Sequence, residues 1–318
     1  MIFRAGWNRF ALLLAGLWTF AIAGFGAMCQ VQDAVVAGGR VWTLCGREAI
    51  YSSADGGNSW QAVDLPPETL YRALVFVDDR RGFIVGDGGT LLASEDSGKT
   101  WVKRKVPTTE HLTDIVFVKE SGWIAGRNGL ILHSSDGGKT WARQETRIPQ
   151  GLAAIDFVDE RNGWAVGWMG VVLRTKNGGA SWEPVKAGEA SWSLNYVHFP
   201  DQKNGWITGM FGQLLRTADG GDSWSLVDAP AKGTLTSVYR SADGRLYATT
   251  GNDVLVSKDG GTKWEASGIN QWLFLKRVVP VGGTLWAVGT FHILRWDSAK
   301  NVWTRLVNSP SSQAERRR

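Results

Sequence analysis

Ser134-Ser135-Asp136-Gly137-Gly138-Lys139-Thr140-Trp141 is the stretch whose reading decides the fold. It spells Ser-x-Asp-x-Gly-x-x-Trp. The Asp carboxylate can accept hydrogen bonds from the backbone of its own turn, and Ser or Thr can do so more weakly. Gly takes positive φ without a steric cost. The Trp then enters a strand and covers apolar surface. The unit reads as a self-bracing turn between two strands.

Copies of it run through the chain. The closing Trp recurs at Trp60, Trp101, Trp141, Trp182, Trp224, Trp264 and Trp303, a period of about 40 residues. The carboxylate position is Asp55, Asp96, Asp136, Asn177, Asp219 and Asp259. The seventh copy keeps only its Trp, as terminal repeats often do. Each period parses into four short strands. In the third, strand A is Leu112 to Val118, strand B Gly122 to Gly126, strand C Leu130 to Ser134 and strand D Thr140 to Gln144. Strand B recurs around Trp42, Phe83, Trp123, Trp164, Trp206, Tyr247 and Trp286. Apolar runs of this length, bounded by Gly, are short buried strands. Four strands per period, repeated seven times, predict an all-β, seven-bladed β-propeller of four-stranded antiparallel blades, with these Asp-box turns between strands C and D. Strand A is expected innermost, and no strand is left over to be exchanged between the first and last blades. Ring closure is therefore expected to rest on face packing between them.

The 318 residues include 40 Gly and 18 Trp but 5 Tyr, which suits many short strands and tight turns. The net charge of +5 is matched by Arg4, Arg9 and Arg316-Arg317-Arg318, with Glu315 offsetting one charge. The folded body is close to neutral, without the basic excess of a nucleic-acid binder. Residues 1–30 read as a signal peptide or an N-terminal membrane anchor. Two arginines precede an uncharged apolar run, Phe10 to Met28, long enough to span a bilayer. Positive charge before the run places the body outside the cytoplasm. Ala21-Ile22-Ala23 also resembles a signal-peptidase site, so cleavage and retention both stay open. Residues 31–307 are assigned to the propeller and 308–318 to a solvated basic tail. The two cysteines, Cys29 and Cys45, could pair outside the cytoplasm. In a hairpin of residues 31–37 and 41–45 they do not sit opposite each other, and an unpaired, buried Cys45 is expected.

Antiparallel strands sort the loops by face. The Asp turns lie on one face with the A–B loops. The B–C tips and the D–A connections share the other, which is free to vary and to bind. On that second face the candidate partner-binding residues are Arg47, Arg72, Arg127, Trp168, Met169, Trp192, Met210, Phe211, Trp272 and Phe291. Met and aromatics at loop tips suit either a protein-contact patch or a plug folded over the channel mouth. The arginines suit carboxylates.

A catalytic set is not apparent. A retaining sialidase needs an arginine cluster, a Tyr nucleophile with its Glu partner, and an acidic Asp. Arg147-Ile148-Pro149 follows the third turn, where a sialidase carries that element before the first, and Tyr51, Tyr71, Tyr196, Tyr239 and Tyr247 sit mostly in strands without a repeated acidic partner. His111, His133, His198 and His292 form no metal-spaced pair, and neither Cys belongs to a metal-spaced cluster. The Gly-Gly pairs belong to turns and not to a phosphate loop. No enzyme activity, cofactor or metal is expected.

The repeats of Gly-Trp-x-x-Gly, then Leu-Leu-x-Ser/Thr, then x-Asp-Gly-Gly-x-x-Trp resemble the photosystem II stability/assembly factor family from about Val31 to Val307. The resemblance implies an exported propeller of the thylakoid lumen or periplasm that docks a membrane-protein subunit, and a monomer is expected. It also implies an arginine-rich docking surface. Arg47, Arg72 and Arg127 are the comparable positions here, and they stand apart. A periplasmic accessory of an exporter or other envelope complex in a non-photosynthetic bacterium fits the same features. A glycan-binding or sialidase-like propeller is the alternative from another class.

Overall fold

The computed structural model describes residues 30–45, 49–66, 69–188, 192–269, 271–290, 292–300 and 302–306. The described residues form seven four-stranded antiparallel sheets, and each takes its strands in order from one continuous stretch of chain. The blades span residues 31–64, 71–104, 112–144, 152–184, 194–226, 235–266 and 275–305. The A strands of successive blades touch in turn, and those of the first and last blades touch each other, so the ring is closed without strand exchange. The B strands at 82–86, 163–167 and 205–209 are buried along their whole length, whereas the short outer D strands are exposed. The candidate membrane segment, Cys29 and the basic tail lie outside the described residues. Among the described residues no helix is long and apolar enough to cross a membrane.

The braced turn has the hydrogen bonds its residues call for. In the third copy Ser134 Oγ donates to Asp136 Oδ1 at 2.7 Å and accepts from the Gly138 amide at 2.9 Å. The Thr140 amide and hydroxyl donate to the two Asp136 oxygens at 2.9 and 2.6 Å. Gly138 sits at φ +83°, where a side chain would be strained. The fourth copy works with an amide: Asn177 Oδ1 accepts from the Ser181 amide at 2.9 Å, and Nδ2 donates to the Ser181 hydroxyl at 3.0 Å. Donors aimed at a carboxylate favour its charged form. The Ser59 hydroxyl and then its amide lower Asp55 to about 2, and Thr100 and Ser223 do the same for Asp96 and Asp219. Trp141 stands just before strand D, Ala142–Gln144, and not within it.

Neighbouring blades are joined by rings. Phe157, at the end of its A strand, stacks on Trp123 of the preceding blade with centroids 3.6 Å apart and takes Trp182 of its own turn edge-on at 5.8 Å. Phe199 repeats this between Trp164 at 3.5 Å and Trp224 at 5.7 Å. Phe117 does so between Phe83 at 4.9 Å and Trp141 at 5.8 Å, and Phe76 between Trp42 and Trp101. A strand-B aromatic of one blade thus lies under the turn of the next. A Cβ on Gly138 would sit 2.5 Å from the Phe83 ring, and one on Gly221 would sit 2.5 Å from Trp164.

Closure uses the same device. Trp286 of the last blade lies 6.2 Å from Trp60 of the first, and a Cβ on Gly57 would meet its ring at 2.7 Å. The Val31 amide donates to the Thr290 carbonyl at 2.9 Å. Face packing thus closes the ring, as the strand count implied. The cysteine expectation is corrected: Cys45 is disulfide-bonded and not a lone buried thiol.

The rings make a stability prediction. Phe157→Ala removes the middle of one sandwich and should cost about 3–5 kcal/mol, the usual loss for a large buried aromatic. Urea unfolding measures it. A loss below about 1 kcal/mol would mean that the sandwich does not hold these blades together.

Candidate functional site

The B–C tips and the D–A connections meet on one rim. The Trp168 amide donates to the Gly151 carbonyl at 3.0 Å, the Met210 amide to Ser193 at 3.0 Å and the Asp87 amide to Leu70 at 3.0 Å. The Gly89, Gly129 and Gly212 amides donate to Glu110, Gln150 and Gly233. Asp turns bond instead to the A–B loops, as Ser97 does to Arg80 and Gly137 to Glu120. The two faces are therefore distinct, in the arrangement antiparallel pairing requires.

On this rim Trp168 is 47% exposed, Met169 73%, Trp192 53%, Phe211 59% and Trp272 79%. Trp192 and Phe211 meet edge-on at 4.8 Å, and Trp272 lies 6.1 Å from Phe274. None of these side chains is among those lining the central channel. Met210 is half-buried beside them. The two described arginines are engaged within the rim. Arg72 clamps Asp87 with two donors, and His111 Nδ1 stands 3.0 Å from the same carboxylate. The Arg127 guanidinium lies 5.5 Å from the Trp168 ring centre. Arg47 and Phe291 lie outside the described residues.

The tip backbone carries a further signal. Each tip from the second to the fifth blade places a residue and then a Gly at positive φ. The first of these is Gly88 at +65° and Asn128 at +55°, both suited to it. It is Met169 at +59° and Phe211 at +55° in the next two blades. The left-handed conformation costs an ordinary L-residue roughly 1–2 kcal/mol. Two bulky, exposed side chains are held there where Gly or Asn would be easier. Strain of this kind gathers at binding sites.

The central channel is the second candidate, and sequence reasoning did not find it. Every A strand carries a bulge at its second residue, as between Leu152 and Ala154 or between Leu275 and Arg277. A bulge re-aims a side chain. Here two successive residues turn inward in every blade but the sixth, where Thr234 and Thr236 do so, around a space of about 330 Å³. Some of these residues strap blades together. Thr113, Asn195 and Thr236 donate to the carbonyls of Leu152, Leu235 and Leu275 in the following blades, at 2.8, 3.1 and 2.9 Å. Asp33 accepts from the Leu74 amide at 3.0 Å and Asp114 from the Ile155 amide at 2.9 Å.

Arg277 sits among them, 3.0 Å from Asp33 and 5.4 Å from the Tyr196 ring centre. Tyr196 thus has charged company that its strand position did not suggest. Burial pushes Asp114 up to about 7, against the pull of backbone hydrogen bonding and Arg277, and pushes Tyr196 up to about 12. The channel lining contains no Glu and no cluster of free arginines. Among the described residues no group of three or more His, Cys, Asp or Glu is placed to hold a metal.

Comparison with known proteins places the chain. The family described as "Photosynthesis system II assembly factor YCF48" matches residues 52–152 and 145–271. A curated relative, the photosystem II assembly lipoprotein Ycf48 of Picosynechococcus sp., is 38% identical over 50 residues. That match covers 15% of this chain and 15% of the relative's length. The solved structure "YCF48 bound to D1 peptide" superposes with a TM-score of 0.67 at 20% identity, over 80% of this chain and 86% of that one. An ancestral GH74 enzyme superposes with a TM-score of 0.71 at 15% identity, over 87% of this chain and 46% of that one. At such identities the two structures share the fold.

Asp114 makes the channel's pH dependence testable. Its folded value of about 7 lies above the ordinary 3.8. The folded state therefore holds the extra proton, and this contribution is complete below about pH 4 and lost as pH rises through 7. Asp114→Asn should gain stability relative to wild type across that window. Melting temperatures of both proteins at pH 4 to 8 test it, and a constant difference would show that Asp114 does not titrate there.

Proposed function

We propose, for a chain that belongs to the photosynthesis system II assembly factor YCF48 family, that it is an exported, monomeric binding scaffold which docks a membrane-protein partner and aids the assembly or stability of a membrane complex. Docking falls on the B–C rim, with Trp168, Met169, Met210, Phe211 and Trp192 forming its centre. The observation that carries this reading is the positive φ of Met169 and Phe211, two exposed side chains kept at a backbone cost. Met and aromatics are the residues that make interface cores. The family name supplies the kind of partner. In this reading the scaffold's role is binding and not catalysis.

This rim differs from an arginine docking surface. Arg72 is neutralised by Asp87, and Arg127 is laid on Trp168. Recognition is accordingly led by apolar contact, with Arg127 and Trp168 as an edge that can take a carboxylate. A partner in an envelope complex outside photosynthesis suits such a rim as well as a photosystem subunit does. An apolar segment exposed during assembly is the matching chemistry.

The test separates binding from folding. Met169→Asn with Phe211→Asn removes both side chains and relieves the backbone, so the melting temperature should hold or rise. Capture of partners from detergent-solubilised membranes should fall at least roughly tenfold, as for loss of interface anchors. Undiminished capture of every partner would overturn the assignment of this rim.

A further inference from the structure

We infer that the central channel binds a small organic carboxylate, a role separate from partner docking on the rim. The inference rests on which channel groups are already satisfied and which are not. Both carboxylates are turned to donors of the fold. Asp33 accepts from the Ala34 and Leu74 amides and faces Arg277, and Asp114 accepts from the Ile115 and Ile155 amides. The cations are less well served. Lys276 lines the channel, and its ammonium makes no hydrogen bond or ion pair with any described residue, its carbonyl alone accepting from the Thr249 hydroxyl at 3.3 Å. Burial alone lowers its pKa, the mark of an ammonium taken from water without a counter-charge. Arg277 uses one corner of its guanidinium on Asp33, and the Tyr196 hydroxyl has no hydrogen-bond partner among the described residues.

The channel therefore offers spare donors and spare positive charge. Of its remaining polar positions, Thr113, Asn195 and Thr236 are spent on the straps and Arg72 on Asp87, which leaves Gln32 and Thr234 as uncharged companions. An anion with two acceptor oxygens is the complement. The wall across the ring is small and apolar, Ala153 and Ala154, which leaves room for a short carbon body. The volume of about 330 Å³ is roughly that of eleven waters. That admits a small acid and rejects a polymer.

Protonation supports the sign. The groups around Asp114 are Asp33, Arg277 and Tyr196, with Asp156 also acting on Tyr196 and Lys276 beside Arg277 on the same strand. Below about pH 7 Asp114 is largely neutral and the channel carries its greatest positive charge. Anion binding should weaken as pH rises through that value.

Titration calorimetry of the purified propeller with succinate, at matched ionic strength, is the experiment, with acetate, inorganic phosphate and the diamine putrescine as comparison probes. Saturable binding of succinate is expected, weaker binding of acetate, and none of putrescine. Lys276→Met should weaken succinate at least roughly tenfold, with Lys276→Arg restoring much of it. Ala153→Leu, which fills the far wall and leaves every charge in place, should also abolish binding. Asp114→Asn should flatten the loss of affinity above pH 7, and the Met169→Asn/Phe211→Asn rim variant should bind succinate unchanged. No saturable binding of succinate, equal binding by Lys276→Met, or preference for putrescine would each overturn the inference, whatever becomes of the rim.

Discussion

The contact between a strand-B aromatic of one blade and the Asp turn of the next is what turns seven modules into a ring. A four-stranded blade cannot bury both of its faces alone, so its stability depends on its neighbours. The sequence answers with large rings at fixed places: Trp123 under Phe157, Trp164 under Phe199, Trp286 beside Trp60. Aromatic pairs in offset or edge-on geometry gain about 0.5–1.5 kcal/mol beyond the area they bury. The gain is modest at each joint and, among the described residues, is made at five of the seven. The glycines of the turns are part of this contact, because a Cβ at Gly57, Gly138 or Gly221 would strike the ring beneath. The turn is thus a brace within its blade and a socket for the blade before it.

That double use constrains the rest of the molecule. The Asp-turn face is spent on holding blades in shape and in register. Among the described residues the opposite rim carries short tips, anchored by backbone hydrogen bonds to the adjoining connections, and its side chains are free to differ. Variation there costs the fold little, and the strained Met169 and Phe211 are tolerated because the scaffold around them is rigid. The channel is constrained differently. Seven bulges bring fourteen inward positions close together in roughly the volume of a small molecule, so charges far apart in the chain must be reconciled. Asp33, Asp114, Tyr196 and Arg277 come from four different blades, and their environment belongs to the ring and to no one repeat.

How much was legible in the sequence can be judged residue by residue. Asp136 and Trp141 announce themselves because each acts within eight residues of chain, and seven such signals give the number of blades. The sorting of loops into two faces follows from strand count alone, and with it the placing of Trp168 and Phe211 on one rim. Arg72 was harder. Its partner Asp87 is in the same blade, but only the pairing of A with B strands brings them together, and a seemingly free cation becomes a spent one. Cys45 was misread because the hairpin register said nothing of what its sulfur reaches. The bulges left no mark, since a period-two strand pattern and a bulged one differ by a single residue.

By itself, then, the sequence determined the repeat, the strand order, the braced turns and the two faces, because those depend on neighbours in the chain and on local hydrogen bonding. Only the tertiary structure decided which charges are paired, which tips are strained and what the axis encloses. Those properties arise where seven separate strands converge, and a burial or an ion pair across such distances is set by the closing of the circle and not by any stretch within it.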